Sequence, residues 1–366
     1  MTKRSKLLYV ASTASHLKRF HTPYLEALAK DAEVRTMATG ESVDFSIPFD
    51  KHFFSVSNLL NIFRIRKILK RERFDSVVLN TTLAAFLVRC AMIGMRRRPY
   101  VLNVVHGYLF SKKPRGLKDR VMLWCEKFLW RKTDEIAVMN AEDLEIAREK
   151  RLCRGRVTFM HGMGVDGFSE IPVPDADLRA KFAEKDELLC IFVGELSARK
   201  NQIFLIRALK RLRDAGIPAK LLLVGEGAER KKFEKEISRL SLENAVFLTG
   251  NCEPVTPYLA ISDLYVSASR SEGLPFNIME AMACGLPILA SATKGQTDLL
   301  EKTEARLYPL DDADAFCSAL HEAVAPKDLG VAACTYPSLE TYRLSAVFDE
   351  NKKLLSASLD QERNRS

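Results

Sequence analysis

The stretch RSEGLPFNIMEAMACGLPILAS, residues 270–291, sets two glutamates among glycines, prolines and apolar side chains. Pro275 favours the first turn of a helix and Gly285 favours its end, so the sequence predicts a short helix over 275–284. Glu272 then lies in the loop before this helix, and Glu280 lies inside it, about a turn and a half further on. The sequence therefore predicts two carboxylates in a region that otherwise resembles a core.

The start of the same helix suits an anion. Backbone amides in a first helical turn have no partner within the helix, and those of Phe276 and Asn277 are predicted to face outward as a phosphate site. A nucleotide-sugar would reconcile the phosphate with the carboxylates, because its charge lies in the middle and its two ends carry sugar hydroxyls. We interpret Glu272 and Glu280 as one carboxylate for each sugar ring. The alternative is a loop glutamate and a solvent-facing helix glutamate.

Outward from this stretch, short β-rich runs alternate with helical patterns along the whole chain. Continuously apolar strands between amphipathic helices are typical of parallel sheets covered on both faces. The predicted strands are 6–11, 34–38, 75–80, 100–105, 135–139, 156–160, 188–195, 221–227, 246–250, 264–268 and 286–291. Helices are predicted at 83–94, 117–131 and 141–150, among others.

The pattern restarts after a stretch rich in Gly, Pro and Asp between Gly162 and Asp186, which is predicted to be an interdomain linker. The fold class is therefore α/β, with two doubly wound, Rossmann-like domains of parallel strands and an interdomain cleft. We place the first domain at 1–163 and the second at 164–338, with a C-terminal helix at about 339–357 that could pack back on the first domain. Ligands are expected at the carboxyl ends of the strands, in the cleft.

Charge divides the chain in the same way. Residues 1–160 hold 31 Lys and Arg against 16 Asp and Glu, a net charge of +15, whereas the remainder carries −6 of the total of +9. Such asymmetry points to a nucleic acid, a membrane surface or an anionic substrate. The eight cysteines are scattered without a CxxC pair, which favours reduced core thiols. Apolar runs are too short to cross a bilayer, and we expect a cytoplasmic protein.

Several motifs follow one another along the chain at characteristic spacings: VVHGYLF (104–110), MNAEDLEIA (139–147), GVDGF (164–168), GELSARKNQ (194–202), VGEGAER (224–230) and the two glutamates. Together they resemble the retaining glycosyltransferases of family 4, whose E-x7-E signature matches Glu272 and Glu280. The resemblance covers most of the chain and is closest to enzymes that build bacterial surface polysaccharides. It implies the GT-B fold, with residues 1–163 as the acceptor-binding domain and residues 164–338 as the domain that binds the nucleotide-sugar donor.

The resemblance also implies roles. Glu272 would contact the donor sugar, Glu280 the ribose, Lys200 the diphosphate, and His106 the neighbourhood of the transferred sugar. Glu272, Lys200 and His106 are thus the predicted catalytic residues. The remaining predicted donor contacts are Gly194, Arg199, Leu274, Phe276, Asn277 and Gly250. In the first loop, Ser12 to His21, the predicted acceptor contacts are His16 and Ser15, although His16 could instead cap the following helix.

One position departs from the family pattern. Many members carry an arginine directly after the strand glycine, but this chain has Glu195 there. Arg199 could compensate or could be a surface arginine. The family transfers sugar with retention of configuration, through same-face attack, and needs no metal. We therefore predict no metal site and no cofactor, with a nucleotide-sugar, most simply a UDP-sugar, as co-substrate. The acidic cluster DDAD (311–314) is interpreted as a solvated helix start.

Alternatives remain open. A non-catalytic nucleotide-sugar-binding protein of the same fold would tolerate Glu195, and a nicotinamide oxidoreductase would explain Gly225 and Gly227, although the third glycine of that fingerprint is replaced by Arg230. Nucleic-acid binding is not expected, since the basic half lacks interleaved aromatics.

The basic half has its own predicted partner. The segment LLNIFRIRKILKRERF (59–74) predicts a helix with Leu59 and four further apolar residues in the core and its cations in water. The resemblance implies a glycan or polyprenyl-diphosphate-linked acceptor. We therefore expect the chain to lie peripherally on the anionic inner face of the cell membrane, held by charge without insertion.

Overall fold

The computed structural model describes residues 4–114, 116–165, 173–324 and 334–363. The chain divides into two compact units. Unit 1 comprises Met1–Gly164 and Thr341–Ser366, and unit 2 comprises Val165–Glu340. Each unit is built around its own parallel sheet.

Unit 1 contains a seven-stranded sheet in the order β3-β2-β1-β4-β5-β6-β7, and every pairing in it is parallel. Its strands are β1 (Lys6–Thr13), β2 (Glu33–Thr39), β3 (Phe45–Ser46), β4 (Ser76–Asn80), β5 (Tyr100–Val105), β6 (Glu135–Val138) and β7 (Val157–Phe159). Every residue of β4, β5 and β6 is buried, as expected for strands covered on both faces.

The helices of unit 1 cover this sheet. They are α1 (Ala14–Ala29), α2 (Val56–Glu72), α3 (Thr82–Ala91), α4 (Leu117–Leu129) and α5 (Ala141–Glu149), with a 3-10 turn at Trp130–Lys132. Polar side chains begin several of them: Thr13, Ser55 and Asn140 each accept a backbone N–H three residues further on.

Unit 2 contains a six-stranded parallel sheet in the order β10-β9-β8-β11-β12-β13. Its strands are β8 (Leu188–Val193), β9 (Ala219–Val224), β10 (Val246–Gly250), β11 (Leu264–Ser267), β12 (Ile288–Ser291) and β13 (Arg306–Tyr308). Its helices are α6 (Ala176–Ala180), α7 (Gln202–Asp214), α8 (Arg230–Arg239), α9 (Thr256–Ala260), α10 (Phe276–Ala283), α11 (Gln296–Leu300) and α12 (Ala313–Val324).

After unit 2 the chain passes through a 3-10 turn, Pro337–Tyr342, and forms α13 (Leu344–Arg363), which packs on β4, β5 and α1 of unit 1. Asn351 on α13 is buried, and its Nδ2 donates to Tyr24 Oη at 3.0 Å and to the Gly162 carbonyl at 2.8 Å. Tyr24 Oη in turn donates to the Met163 carbonyl at 2.9 Å. The C-terminal helix is therefore an integral layer of unit 1.

The two predicted parallel sheets are confirmed, and β3 and β13 are strands that the sequence analysis did not predict. The predicted first loop, Ser12 to His21, is wrong: Thr13 accepts the His16 N–H at 3.3 Å, so α1 begins at Ala14. The predicted linker contains α6, which Asp175 caps, and its residues 166–172 lie outside the described part.

The prediction of a core position for Leu59 is also wrong. Ile65 and Leu69 of α2 are buried as expected, but Leu59 is 61% exposed. The buried face of the first turns of α2 instead carries Asn58 and Asn61, whose side chains donate to the carbonyls of Asp50 and Pro48. In the described residues, no helix is both long enough and apolar enough to cross a membrane.

Candidate active site

The first constellation of functional side chains lies in unit 2 and centres on Glu272, which is 7% exposed. Lys200 Nζ donates to Glu272 Oε1 at 2.7 Å, and Arg199 donates to Glu272 Oε2 at 3.0 Å. Arg199 also donates to the Ser271 carbonyl at 3.0 Å. The carboxylate therefore finds its partners on the connection between β8 and α7, more than 70 residues earlier in the chain.

The electrostatics of this cluster keep the carboxylate charged. Burial by itself raises the pKa of Glu272, but the charges of Lys200 and Arg199 outweigh it and hold that pKa below its usual value. Burial lowers the pKa of Lys200, and the Glu272 carboxylate opposes this shift. Two cations face one carboxylate, so the cluster favours a further anion.

Helix α10 follows the Glu272 loop at the carboxyl end of β11. Asn277 Nδ2 donates to the Val193 carbonyl at the end of β8 and to Tyr265 Oη on β11, both at 2.7 Å. The side chain of Asn277 thus fixes the start of α10 against β8 and β11. Phe276 begins the helix and is half-buried, and Leu274 before it is buried.

Glu280 occupies the middle of α10 and is half-buried. Glu280 therefore lies inside the helix and Glu272 in the loop before it, as the sequence predicted. The predicted helix bounds of 275–284 are close to the observed Phe276–Ala283, with Pro275 just before the first turn rather than in it.

A second set of residues braces the Glu272 loop, and the sequence analysis missed it. Arg270 donates to Asp311 Oδ2 at 2.6 Å and to Asn201 Oδ1 at 3.1 Å, and the Arg270 N–H donates to the Arg199 carbonyl at 2.9 Å. Asn201 and Asp311 both have positive φ values, of 58° and 63°. Asn and Asp tolerate this conformation, which is the one sequence signal available.

The interpretation of DDAD (311–314) as a solvated helix start agrees with the structure, in which Asp311 is exposed, but it omits one contact. Asp312 does cap α12, accepting the Ala315 N–H at 2.9 Å. Asp311, however, holds Arg270 and so supports the loop that carries Glu272. Gly295 packs on the same loop: a Cβ there would lie 2.4 Å from the Gly273 carbonyl oxygen.

Three glycines at the ends of β8 and β9 are explained by close backbone packing. A Cβ on Gly225 would lie 2.1 Å from the Gly194 carbonyl oxygen, and one on Gly227 would lie 2.2 Å from that of Leu196. Gly194 has φ +147°, and its Cβ position lies 3.6 Å from Lys200 Cε. Close backbone packing in a tight turn therefore accounts for the glycines of the GEG sequence without a dinucleotide ligand.

The remaining donor-side positions lie near these strand ends. Gly250 ends β10 with φ +78°, and its carbonyl accepts the Gly225 N–H at 2.8 Å. Glu195, where the family resemblance leads one to expect an arginine, is exposed, and its carbonyl accepts from Gln202 Nε2 at 2.7 Å.

The second constellation lies in unit 1 and consists of three histidines. His106 directly follows β5, while His16 and His21 project from α1. The ring centroids are 5.1 Å apart for His16 and His106, 5.1 Å for His16 and His21, and 5.8 Å for His21 and His106. The sequence analysis predicted roles for His16 and His106 but not for His21, because residues five positions apart do not share one face of an ideal helix.

Burial keeps these imidazoles neutral. It lowers the pKa of His16 to about 4 and, with a smaller contribution from His16, that of His106 to about 3. The pKa of His21 is also well below its ordinary value, first through burial and then through the other two rings. Ser15, the other predicted acceptor residue, is exposed and donates to Thr13 Oγ1 at 3.1 Å.

Comparison with known protein families gives one match in each unit. Residues 10–162 match the family described as glycosyl transferase 4-like domain, and residues 175–329 match glycosyl transferases group 1. The two matches together span most of the described chain, one in each unit.

Individual relatives agree with these matches. EpsD of Bacillus subtilis, a provisionally assigned glycosyltransferase, is 29% identical over 88% of this chain and 87% of that protein. The UDP-Gal:alpha-D-GlcNAc-diphosphoundecaprenol alpha-1,3-galactosyltransferase of Escherichia coli is 25% identical over 75% of this chain and 73% of that protein. The crystal structure of Anabaena HepE in complex with UDP and glucose superposes with a TM-score of 0.71 at 17% identity, covering 96% of this chain and 99% of that one.

Two parallel-sheet units with these matches define a class, and the chain belongs to the glycosyltransferases with the GT-B fold. Its unit 1 is of the glycosyl transferase 4-like kind and its unit 2 of the group 1 kind. The family resemblance drawn from the sequence is confirmed at this level.

Proposed function

We propose that the protein is a retaining, metal-independent transferase that moves a sugar from a UDP-sugar to a lipid-linked or free glycan acceptor in bacterial surface-polysaccharide synthesis. The observation that carries this proposal is the buried Glu272 held by Arg199 and Lys200 at the start of α10. The names of two similar proteins support the choice of donor and acceptor, since one uses UDP-Gal and a diphosphoundecaprenol acceptor and the other was crystallised with UDP.

Donor binding follows from the charges of the cluster. The diphosphate meets Lys200 and Arg199, whose two positive charges exceed the single negative charge of Glu272. Glu272 then accepts a hydrogen bond from a hydroxyl of the transferred sugar, and Glu280 accepts one from the ribose. Negative charge grows on the diphosphate as the sugar leaves, so a fixed lysine stabilises the transition state more than the ground state.

The bond changes balance without a protein nucleophile. The bond between the anomeric carbon and the diphosphate oxygen breaks, and a bond to the acceptor hydroxyl oxygen forms on the same face. The hydroxyl proton passes to the departing diphosphate. Same-face attack preserves the anomeric configuration, which distinguishes this reaction from a single inverting displacement.

His106 takes part as a neutral group. Because burial holds its pKa at about 3, it carries no charge at pH 7. The neutral imidazole accepts a hydrogen bond from a sugar hydroxyl through its one nitrogen lone pair, and this orients the sugar without adding a third cation to Lys200 and Arg199.

The decisive experiment is donor screening followed by transfer. UDP-glucose, UDP-galactose, UDP-N-acetylglucosamine and GDP-mannose are each tested for thermal stabilisation of the protein. The donor that stabilises it most is then tested for transfer of its labelled sugar.

Lys200→Met should reduce kcat by roughly 100- to 1000-fold, whereas Lys231→Met, at an exposed lysine, serves as a matched control. Glu280→Ala should weaken donor binding, and Glu272→Ala should chiefly slow transfer. Unchanged donor affinity in both glutamate variants would contradict the assignment of one carboxylate to each ring.

Two further measurements test the finer claims. The anomeric configuration of the product, read by NMR, should equal that of the donor. Activity should survive EDTA, because Lys200, Arg199 and backbone amides face the diphosphate. Activity that is lost in EDTA and restored by magnesium or manganese contradicts the metal-independent part alone.

We further propose that α2 binds this protein to an anionic membrane. Arg64, Lys67, Lys70 and Arg71 on α2 are all exposed. The first turns of the same helix expose Val56, Leu59, Leu60 and Phe63, at 76%, 61%, 54% and 67%. Their spacing of i, i+3, i+4 and i+7 places these four on one face. An apolar stripe beside cations complements an anionic bilayer, with the apolar side chains in the interface and the cations at headgroups.

The sequence predicted membrane binding through charge alone. The exposed apolar side chains of α2 lead us to propose that some of them also insert into the bilayer interface. Each cation near an anionic leaflet contributes about 1 kcal/mol, and burial of the exposed apolar side chains adds a term that salt does not screen. A second exposed apolar set on α4, Leu117, Trp124 and Phe128, has the spacing i, i+7 and i+11.

Vesicle flotation separates the two contributions. Wild type should bind phosphatidylglycerol vesicles and release partly, not fully, as salt rises. Replacing Arg64, Lys67, Lys70 and Arg71 by Gln should abolish the salt-sensitive part. Replacing Leu59, Leu60 and Phe63 by Ser should abolish the residual binding at high salt. A matched control replaces four exposed unit 2 lysines by Gln: Lys181, Lys185, Lys231 and Lys235. Equal binding to neutral and anionic vesicles contradicts the proposal.

A further inference from the structure

The three-histidine cluster of unit 1 has a property that sugar transfer does not use. The Nε2 atoms of His16, His21 and His106 are all shielded from solvent and have no hydrogen-bond partner among the described residues. Buried polar nitrogens normally have partners, because an unsatisfied one is unfavourable by about 1–3 kcal/mol. Three such atoms from one cluster indicate a missing common partner.

The geometry of the cluster fits a metal ion. One ring nitrogen from each histidine lies within 4.8 Å of those of the other two. Zinc–nitrogen bonds of about 2.0–2.1 Å place tetrahedral ligand nitrogens roughly 3.4 Å apart and the ring centroids roughly 5 Å apart. The observed centroid separations are 5.1, 5.1 and 5.8 Å. Small ring rotations suffice to close the set on an ion.

A hydrogen bond between Nδ1 of His21 and Tyr9 fixes the orientation of the His21 ring. Its Nδ1 lies 2.9 Å from Tyr9 Oη, and both groups are buried. When Nδ1–H donates to the phenol oxygen, Nε2 carries the free lone pair that a metal needs. A hydrogen bond to the non-ligating nitrogen is the usual way in which proteins fix a metal-binding imidazole.

We infer that His16, His21 and His106 form a binding site for a divalent transition metal, Zn²⁺ in the first place, with the fourth coordination position open. Neutral imidazoles suit Zn²⁺, Cu²⁺, Ni²⁺ and Co²⁺ and disfavour Mg²⁺ and Ca²⁺, which prefer oxygen ligands. An ion bound to Nε2 of each ring supplies the partner that these three buried atoms lack.

The effect on transfer, which rests on the proposed function, is inhibition. Zinc occupies the one nitrogen lone pair of His106, so this residue can no longer accept the hydrogen bond from the sugar hydroxyl. Micromolar zinc should therefore slow transfer reversibly, and EDTA should restore it. This agrees with catalysis that needs no metal, and it gives the same histidine two exclusive partners.

Cobalt titration tests the site without any activity assay. Metal-free protein receives Co²⁺, and the visible d–d absorption of a tetrahedral complex is recorded. One equivalent should saturate the band, and added Zn²⁺ should remove it. An intense thiolate-to-cobalt band would instead assign the ion to cysteine, and the inference would be wrong.

Variants localise the ion. His21→Asn should abolish the cobalt band. Tyr9→Phe keeps all three ligands and should weaken binding by roughly 10- to 100-fold. His52→Ala and His321→Ala, at exposed histidines outside the cluster, should bind cobalt like wild type. Thermal unfolding of each metal-free variant shows that it is folded.

The outcomes separate the two proposals. No tetrahedral band in wild type, or a band that survives in His21→Asn, overturns the metal site and leaves transfer untouched. A metal site without transfer activity leaves the site standing and removes the proposed function. Cobalt binding with no zinc inhibition removes only the exclusive role of His106.

Discussion

At the scale of single residues, Glu272 divides its two oxygens between two cations, and this explains how a carboxylate can occupy a buried loop. Lys200 and Glu272 are 8% and 7% exposed, so neither charge is well solvated. Each depends on the other in the absence of ligand. A donor diphosphate would take over the cations and release the carboxylate for a hydroxyl.

The pair predicts a specific dependence on pH. The folded pKa of Glu272 lies below its usual value of 4.5, so its contribution to stability is present above that value and is lost as the pH falls through the folded pKa. Glu272→Gln should be less stable than wild type at pH 7, because Lys200 loses its partner charge. The difference should begin to narrow as the pH falls below about 4.5 and should close as the pH passes through the lower pKa of the folded carboxyl, where Glu272 of the folded wild type becomes protonated.

Thermal unfolding between pH 7 and pH 3 measures this difference. Glu243→Gln, at an exposed glutamate of the same unit, controls for the general loss of one negative charge. A gap between Glu272→Gln and wild type that stays constant with pH would show that the ion pair does not stabilise the loop.

At the scale of elements, a buried ion pair joins α3 and α4. Arg89 is fully buried and donates to both oxygens of Glu126, at 2.7 and 2.8 Å. It also donates to the Ala85 carbonyl at 3.0 Å and to Thr133 Oγ1 at 3.2 Å. This network connects two helices that cover the same face of the sheet with the turn that follows them.

Removing one partner of this pair should destabilise the protein more than removing both. Arg89→Met leaves the Glu126 carboxylate buried and unpaired, and should lower the free energy of unfolding by roughly 3–5 kcal/mol. The double variant Arg89→Met/Glu126→Leu should recover most of that loss, since an apolar pair of similar size is often neutral.

Calorimetry of the unit 1 transition provides the measurement, with Arg97→Met at an exposed arginine as the control. Equal losses in the single and double variants would mean that packing around Arg89, rather than charge pairing, holds the two helices together.

The predicted strands agree with the observed ones better than the predicted helix starts and loop contacts do. The strand predictions agree with the structure because buried parallel strands are continuously apolar, as in β4 and β5. The start of α1 was mistaken because the cap at Thr13 lies inside a polar run without an apolar period. The partners of Glu272 and the bracing of its loop by Asp311 could not be predicted, since they join residues far apart in sequence.

At the scale of the whole molecule, α13 completes a unit that begins with the first residues of the chain. Asn351 is its main polar anchor, with hydrogen bonds to Tyr24 and to the Gly162 carbonyl. The neighbouring surface is apolar: the Phe348 ring stacks on Tyr24 with centroids 5.2 Å apart. The stability of unit 1 therefore depends on a helix from beyond unit 2.

Asn351→Leu should destabilise unit 1 selectively, by about 1–3 kcal/mol, because the carbonyl of Gly162 and the hydroxyl of Tyr24 lose a buried donor. Hydrogen exchange should quicken in β4, β5 and α1 and stay unchanged in β8 and β9. Lys353→Leu, at an exposed position two residues further along the same helix, is the matched control. Faster exchange in both units would indicate a global effect instead.

The position of α13 in the chain has a consequence for synthesis on the ribosome. Unit 1 emerges first but lacks a layer until α13 has been made, and the residues from Val165 to Glu340 precede that helix. At about 5–20 residues per second, those 176 residues take roughly 9 to 35 s. During that interval the surface of β4, β5 and α1 that α13 will cover is open, and a nascent chain with exposed apolar surface is a substrate for chaperones. Unit 2, made from one continuous segment, can fold before unit 1 is finished.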